Sequence, residues 1–294
     1  MMGAEPFRPP PMPDHTAPWI RRWPHWPRRL LHFLLPSNCA LCGAGCDGVV
    51  CAPCQDHFCL AVTNRCARCG NPLASSPRRR EPKFDPQASS PDTTCGVCQS
   101  YPPSYDATIF AADYAPPLDH LVLQLKFSAR LQLAPWFAAM LRDAVLARRD
   151  LPLPDLLCPV PLGPSRLVER GFNQALEIAR PLSAMLGVPL YPRLAVRQLD
   201  TRAQSGVLPH ERFENLRGAF AIDDPALVEG RHVGIVDDVM TSGSTLEALA
   251  ATFKRFGAAR VSNLVFARTP PRAAQDQGPG FGLSGSEGIA RRYS

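Results

Sequence analysis

The 294-residue chain has no run of about 18 consecutive apolar residues, so no membrane-spanning helix is expected. It also lacks a basic segment running into a continuous apolar stretch, so no secretory signal is expected. Its eleven cysteines are therefore read as reduced thiols of a cytoplasmic protein, not as a disulfide framework. One-signed charge is scarce: the net charge of +6 is modest and spread along the chain, which permits phosphate or nucleic-acid binding without requiring it. What the chain has in excess is proline. Its 33 prolines concentrate in the first 36 residues, between Pro72 and Pro103, and between Pro270 and Pro279, the places expected to be tails and linkers.

Residues Val233 to Thr245 read Val-Gly-Ile-Val-Asp-Asp-Val-Met-Thr-Ser-Gly-Ser-Thr. Val233 to Val236 predict a buried parallel strand, and two carboxylates follow at the carboxyl end, where open α/β sheets form their ligand crevice. Thr241, Ser242, Gly243, Ser244 and Thr245 then offer backbone N–H groups and four hydroxyls with little bulk, just ahead of a helix. Such a stretch is a nest for a phosphate. Ser244 and Glu247 predict a capping box; Leu246, Leu249, Ala250 and Phe253 share one helical face; Gly257 is placed as a C′ glycine. Val261 to Phe266 return as a strand, completing one βαβ unit.

A Walker loop needs a lysine after its second glycine and a Rossmann loop needs Gly-x-Gly-x-x-Gly; the stretch has neither. Receiver domains carry paired aspartates after their first strand, whereas only 56 residues follow Asp238. Carboxylates beside a phosphate nest suit a sugar diol next to a phosphate, as in ribose 5-phosphate. The motif closely resembles the signature of the type I phosphoribosyltransferases. The resemblance implies that Asp237 and Asp238 hold the ribose hydroxyls of 5-phosphoribosyl 1-pyrophosphate (PRPP). Val239 and Met240 continue the binding segment, and Thr241 to Thr245 hold the 5-phosphate.

Cys39/Cys42, Cys51/Cys54, Cys66/Cys69 and Cys95/Cys98 form four Cys-x-x-Cys knuckles. Each knuckle supplies two thiolates from one tight turn and tetrahedral zinc takes four, so two structural Zn(Cys)4 sites are expected. Sequential pairing is favoured, with a crossed arrangement left open. Cys46, Cys59 and Cys158 stand outside the knuckles and are expected to be buried free thiols.

From Tyr105 onward an α/β domain is expected: a strand from Ala107 to Tyr114, a helical face through Leu118, Leu121, Val122 and Leu125, a helix from Leu133 to Leu146, and a strand from Leu156 to Val160. Pro159-Val160-Pro161 and then Arg166, Arg170, Gly171, Phe172, Asn173 and Gln174 follow, expected as a strand-to-helix loop with the chemistry for pyrophosphate. Arg166, Arg170 and Lys126 are the candidates for carrying that charge. The order of these motifs resembles the ComF family of competence proteins: the cysteine knuckles, Pro-Val-Pro, Arg-Gly-Phe-Asn-Gln, Thr201 with Gln204, Arg212 and Asn215, then the Asp-Asp loop.

The resemblance spans about residues 30–269. It implies a parallel-sheet phosphoribosyltransferase-like α/β domain preceded by a small double zinc ribbon, and a part in natural transformation, alongside DNA-uptake machinery that handles single-stranded DNA. The stretch from Arg197 to Arg212 resembles the loop that closes over PRPP in amidophosphoribosyltransferases. The expected layout is a Pro/Arg-rich extension at 1–36, the zinc ribbon at 37–103 with a disordered insert at 75–94, the transferase-like domain at 104–269 and a disordered tail at 270–294.

Two functions stay open: transfer of a phosphoribosyl group from Mg2+-bound PRPP, and PRPP, nucleotide or single-stranded-DNA binding without turnover. For DNA, the basic groups are Arg65, Arg68, Arg78, Arg79 and Arg80, with Tyr101 or Phe84 for stacking. The acceptor of a transfer is not legible, because no base-specific segment stands out.

Overall fold

A computed structural model gives the fold, and it describes residues 37–59, 65–73, 94–198 and 218–269. Its centre is a four-stranded, all-parallel sheet of β3 (Ala107–Asp113), β4 (Leu156–Pro159), β7 (His232–Met240) and β8 (Arg260–Arg268), in the order β3-β8-β7-β4. A bridge from Leu157 to Leu190 continues the parallel pairing beyond β4. Strands sandwiched on both faces must be apolar throughout, and β4, β7 and β8 are buried almost along their whole length.

Alternate residues feed two cores. Val236, Leu264 and Phe266 face α3 (Leu118–Phe127), α4 (Leu133–Ala147) and α6 (Gln174–Leu186), where Phe137 stacks on Phe266 with ring centroids 3.8 Å apart. Ile235, Val261 and Val265 face α7 (Ser244–Arg255) and the small antiparallel pair of β5 (Ala195–Arg197) with β6 (Phe220–Ile222). This is the period-two alternation of a strand, with one face for each layer of helices.

The chain leaves β4 outward, through α5 (Pro164–Arg170) and α6, to Leu190, and leaves β7 the other way, through α7, to β8. Between β4 and β7 the connections diverge, which opens a crevice at the carboxyl ends of those two strands.

The cysteine segments dock on this domain at two places. The first comprises β1 (Ser37–Asn38), β2 (Gly45–Cys46) and α1 (Ala52–Phe58); Cys39, Val50 and Cys54 join the α4 core, and Trp136 Nε1 donates to Gln55 at 3.3 Å. The second, from Arg65 to Leu73 with α2 (Gly96–Ser100), lies along edge strand β3, where Thr108 N–H donates to the Ala67 carbonyl at 3.2 Å. An edge strand presents unpaired backbone groups, and this segment takes up one of them, the Thr108 N–H. Gly70 makes the close approach possible: its φ is +67°, and a Cβ there would lie 1.7 Å from the Phe110 ring.

The predicted strands and helices are all present, with three corrections. β7 runs through both aspartates to Met240 instead of stopping at Val236. The segment carrying Arg166 and Arg170 is helix α5, not a loop, closed by Gly171 at φ +74°. Ser244 and Glu247 form no capping box. Gly243 occupies the N-cap, and the Glu247 carboxylate accepts from Ser104 N–H at 2.9 Å and Ser104 Oγ at 2.6 Å. Glu247 thereby ties α7 to the segment joining the cysteine module to β3.

Candidate functional site

The crevice between β4 and β7 holds a cavity of about 240 Å3. Tyr114, Lys126, Val160 to Leu162, Arg166, Arg170, Gln174, Arg197, Asp237 to Val239, Thr241 and Thr245 line it. All three candidate pyrophosphate cations and both aspartates thus meet in one place, from α3, α5 and β7.

Asp237 and Asp238 are neighbours on a strand, so one side chain points to each face. Asp238 is 2% exposed and Lys126 Nζ lies 2.9 Å from its Oδ2, an oxygen with no hydrogen bond in favourable geometry. Its other oxygen accepts from Val239 N–H at 2.9 Å. Asp237 accepts from Asp238 N–H at 2.9 Å and opens to the crevice only in part. Burial, and then the charge of Asp238, push the Asp237 carboxyl well above the usual carboxylate range, with Lys126 opposing. Lys126 is committed to Asp238, so its charge balances a carboxylate first and reaches a ligand second.

Arg170 is held from two sides. Arg170 Nη1 donates to Gln174 Oε1 at 2.9 Å, and its guanidinium stands 5.3 Å over the Phe127 ring. Asn173 caps α6 by accepting from Ala175 N–H, and its amide donates to the Val160 carbonyl at 3.0 Å, fixing α6 to the loop after β4. The Arg-Gly-Phe-Asn-Gln motif is thereby an aiming device: Gly171 turns the chain, Asn173 starts the helix and Gln174 holds Arg170.

At the phosphate loop, Thr241 and Thr245 face the cavity, and Ser242 Oγ lies 2.9 Å from Ser244 Oγ. Gly243 adopts φ +81°, and a Cβ there would sit 2.5 Å from Met240 Cε. Met240 itself turns into the core at 2% exposure, so its side chain is not part of the cavity wall. Thr201 and Gln204 lie outside the described residues. Tyr114, Gln174 and Arg197 are wall residues to which sequence reasoning gave no individual role, although Gln174 closes the Arg-Gly-Phe-Asn-Gln motif and Arg197 opens the suspected closing loop.

The cysteines resolve into two groups: Cys39, Cys42, Cys51 and Cys54, and Cys66, Cys69, Cys95 and Cys98, with the sulfurs of each group within 4.8 Å of one another. Pairing is sequential, and the crossed arrangement is excluded. Zn–S bonds of about 2.3 Å put tetrahedral sulfurs roughly 3.8 Å apart. Cys42 and Cys51 are 3.7 Å apart and Cys69 and Cys95 3.6 Å, so both groups fit zinc. Backbone N–H groups support the sulfurs, from Leu41 and Cys51 to Cys39 at 3.4 Å each and from Cys95 to Cys66 at 3.3 Å. Cys158 is fully buried behind the crevice, and burial pushes its thiol up to about 12, so it is inert packing. Cys46 and Cys59 are only half-buried, against expectation.

Arg65 is not a free cation. Its guanidinium donates to both oxygens of Asp113 at 2.6 and 2.7 Å and to the Gly70 carbonyl at 3.0 Å, with 13% of the side chain exposed. Arg68 is half-buried and Tyr101 is 80% exposed, while Arg78, Arg79, Arg80 and Phe84 lie outside the described residues. No helix among the described residues is long and apolar enough to cross a membrane.

A family model described as the phosphoribosyl transferase domain matches residues 173–282. The DNA utilization protein YhgH of Salmonella typhi is 37% identical over 227 residues, covering 71% of this chain and 99% of that protein. The protein of the same name from Escherichia coli (strain K12) is 38% identical with the same coverage. Competence protein F of Haemophilus influenzae is 30% identical over 214 residues, covering 70% of this chain and 91% of that protein. With its phosphoribosyltransferase-type parallel sheet behind two four-cysteine clusters, the chain belongs to the ComF family.

Proposed function

We propose that the crevice binds PRPP with Mg2+ and transfers its phosphoribosyl group to an acceptor, releasing pyrophosphate. The observation that carries this reading is the convergence of a carboxylate pair, a small-residue loop and two arginines on one cavity between β4 and β7. Asp237 and Asp238 accept from the ribose hydroxyls, and the backbone of Thr241 to Thr245 receives the 5-phosphate. Arg166 and Arg170 take the charge that grows on the leaving pyrophosphate; aimed in advance by Gln174 and Phe127, Arg170 reorganises little as the C–O bond breaks. Mg2+, when bound with PRPP, offsets the charge of the two phosphates, and no residue of this chain need hold it alone.

Calorimetry separates these roles. Arg166→Ala with Arg170→Ala should weaken Mg-PRPP by about 10²- to 10⁴-fold and ribose 5-phosphate by far less, since charge-assisted contacts contribute about 1.5–3 kcal/mol each. Equal losses for both ligands, or no PRPP binding by the native chain, would overturn the assignment. Pyrophosphate release measured over a panel of nucleobases and amines then decides between transfer and binding alone.

A second role, binding of single-stranded DNA, is favoured by Tyr101, an aromatic ring 80% exposed just after Cys98 of the second cysteine cluster, with Arg68 between Cys66 and Cys69 of the same cluster. Tyr101→Ala should weaken a labelled oligonucleotide by roughly 1–3 kcal/mol in fluorescence anisotropy, and binding should fall steeply with salt. Salt-independent binding, or none in dilute buffer, removes this role.

A further inference from the structure

Arg268, the last residue of β8, is 7% exposed, and among the described residues it pairs with no carboxylate. A buried cation without a counter-charge is costly, so its partners say what it is for. Nε donates to the Cys69 carbonyl at 3.3 Å and Nη2 to Asn71 Oδ1 at 2.9 Å. Nη1 donates to the carbonyls of Met240 at 3.1 Å and Thr269 at 3.0 Å, and to that of Thr241. One side of this guanidinium therefore grips the second cysteine cluster and the other grips the first carbonyls of the phosphate loop.

The grip on the cluster is direct. The Asn71 carbonyl accepts from Cys66 N–H at 2.9 Å while its side chain accepts from Arg268. Four thiolates around one Zn2+ carry a net charge of about −2, which supplies the counter-charge that no carboxylate provides. Across a trans peptide the N–H points opposite to the carbonyl, so holding the Met240 and Thr241 carbonyls fixes the directions of the Thr241 and Ser242 N–H groups. Fixed N–H directions are what an anion nest requires.

We propose that Arg268 is a positioning residue that couples the second four-cysteine site to the phosphate loop, so that metal in that site and phosphate in the crevice stabilise each other. The proposal rests on the PRPP-site reading for its ligand, and the experiment is arranged so that the two can fail separately. In the full chain, Arg268→Met should keep both zinc ions and the melting temperature of the α4 core, yet weaken ribose 5-phosphate on the order of tenfold. Amide exchange should quicken at residues 241–245 and stay unchanged in α4. Arg268→Lys, which keeps the charge, should recover part of the loss.

Linkage is reciprocal, so saturating ribose 5-phosphate should slow the release of one of the two zinc ions to a chelator, also on the order of tenfold, and this slowing should vanish in Arg268→Met. If Arg268→Met does not fold, Asn71→Ala removes one contact and carries the same test. Unchanged affinity and loop exchange in a variant with both zinc ions, or zinc release indifferent to ligand, overturns the coupling. A native chain that ignores ribose 5-phosphate overturns the site reading instead, while loop exchange still decides on Arg268.

Discussion

Asp237→Asn and Asp238→Asn, two near-isosteric changes one residue apart, should shift stability in opposite directions while both weaken ribose 5-phosphate. Asp237 carries a carboxyl held well above its usual range by burial and by Asp238. Between the ordinary carboxylate value and the raised one, the unfolded chain has lost this proton and the folded chain retains it. Its favourable contribution is therefore present below the unfolded value and lost as pH rises through the raised value, so ionising Asp237 in the folded chain costs stability. Asp237→Asn should raise the melting temperature, with a gain that grows with pH across that window. Asp238→Asn instead leaves Lys126 facing an amide at 19% side-chain exposure, and should cost about 2 kcal/mol.

Ligand reverses the balance at Asp237. Hydroxyls donating to its carboxylate favour the charged form, so binding should release a proton and affinity should rise with pH over the same range. The double variant replaces two carboxylate acceptors by neutral amide oxygens in a desolvated crevice, at roughly 1 kcal/mol for each charge-assisted bond weakened. Calorimetry in buffers of different ionisation enthalpy reads both the proton and the affinity. Unchanged affinity in the double variant would sink the sugar-binding assignment, and a fall in melting temperature for Asp237→Asn would sink the electrostatic account.

The parts of this molecule that were legible from residues are those in which one local rule dominates. Strands β4, β7 and β8 are buried on both faces, so they read as apolar runs, and α3 and α4 show their buried face at helical spacing. The end of β7 was misplaced because adjacent charges usually mark a strand's exit to solvent, whereas here Lys126 reaches in from α3 and lets the strand continue through them. The same blindness to distant partners explains the other errors. Glu247 has the spacing of a capping box but is claimed by Ser104, 143 positions away, and Arg65 looks like a free cation until Asp113 closes on it. Arg268 gave no signal at all, since its five hydrogen-bond partners come from three separate segments. Ligand sets were readable where ligands are close in sequence, but which knuckles share a metal is fixed by chain path, and only the structure pairs them.

Removal of zinc should produce the largest loss of structure. Tetrathiolate zinc contributes about 10–16 kcal/mol of apparent folding free energy in small modules near neutral pH, as much as the whole stability of a typical domain. Metal analysis of the folded, reduced chain should give two zinc ions, and a thiol reagent should then find eight further reactive cysteines once a strong chelator is added, one for each ligand in the two groups. The sites should differ in reach. Cys54 and Cys39 belong to the core that includes α4, so Cys54→Ser should lower the cooperativity of the main unfolding transition. Cys66, Cys69 and Cys98 form a small cluster of their own over edge strand β3, so Cys98→Ser should unfold that cover and leave the main transition standing. With the cover gone, the backbone groups of β3 lie open and the chain should self-associate, visible as concentration-dependent growth in light scattering. One zinc or none per folded chain, or identical unfolding profiles for the two variants, would rule out two structural sites with these separate loads.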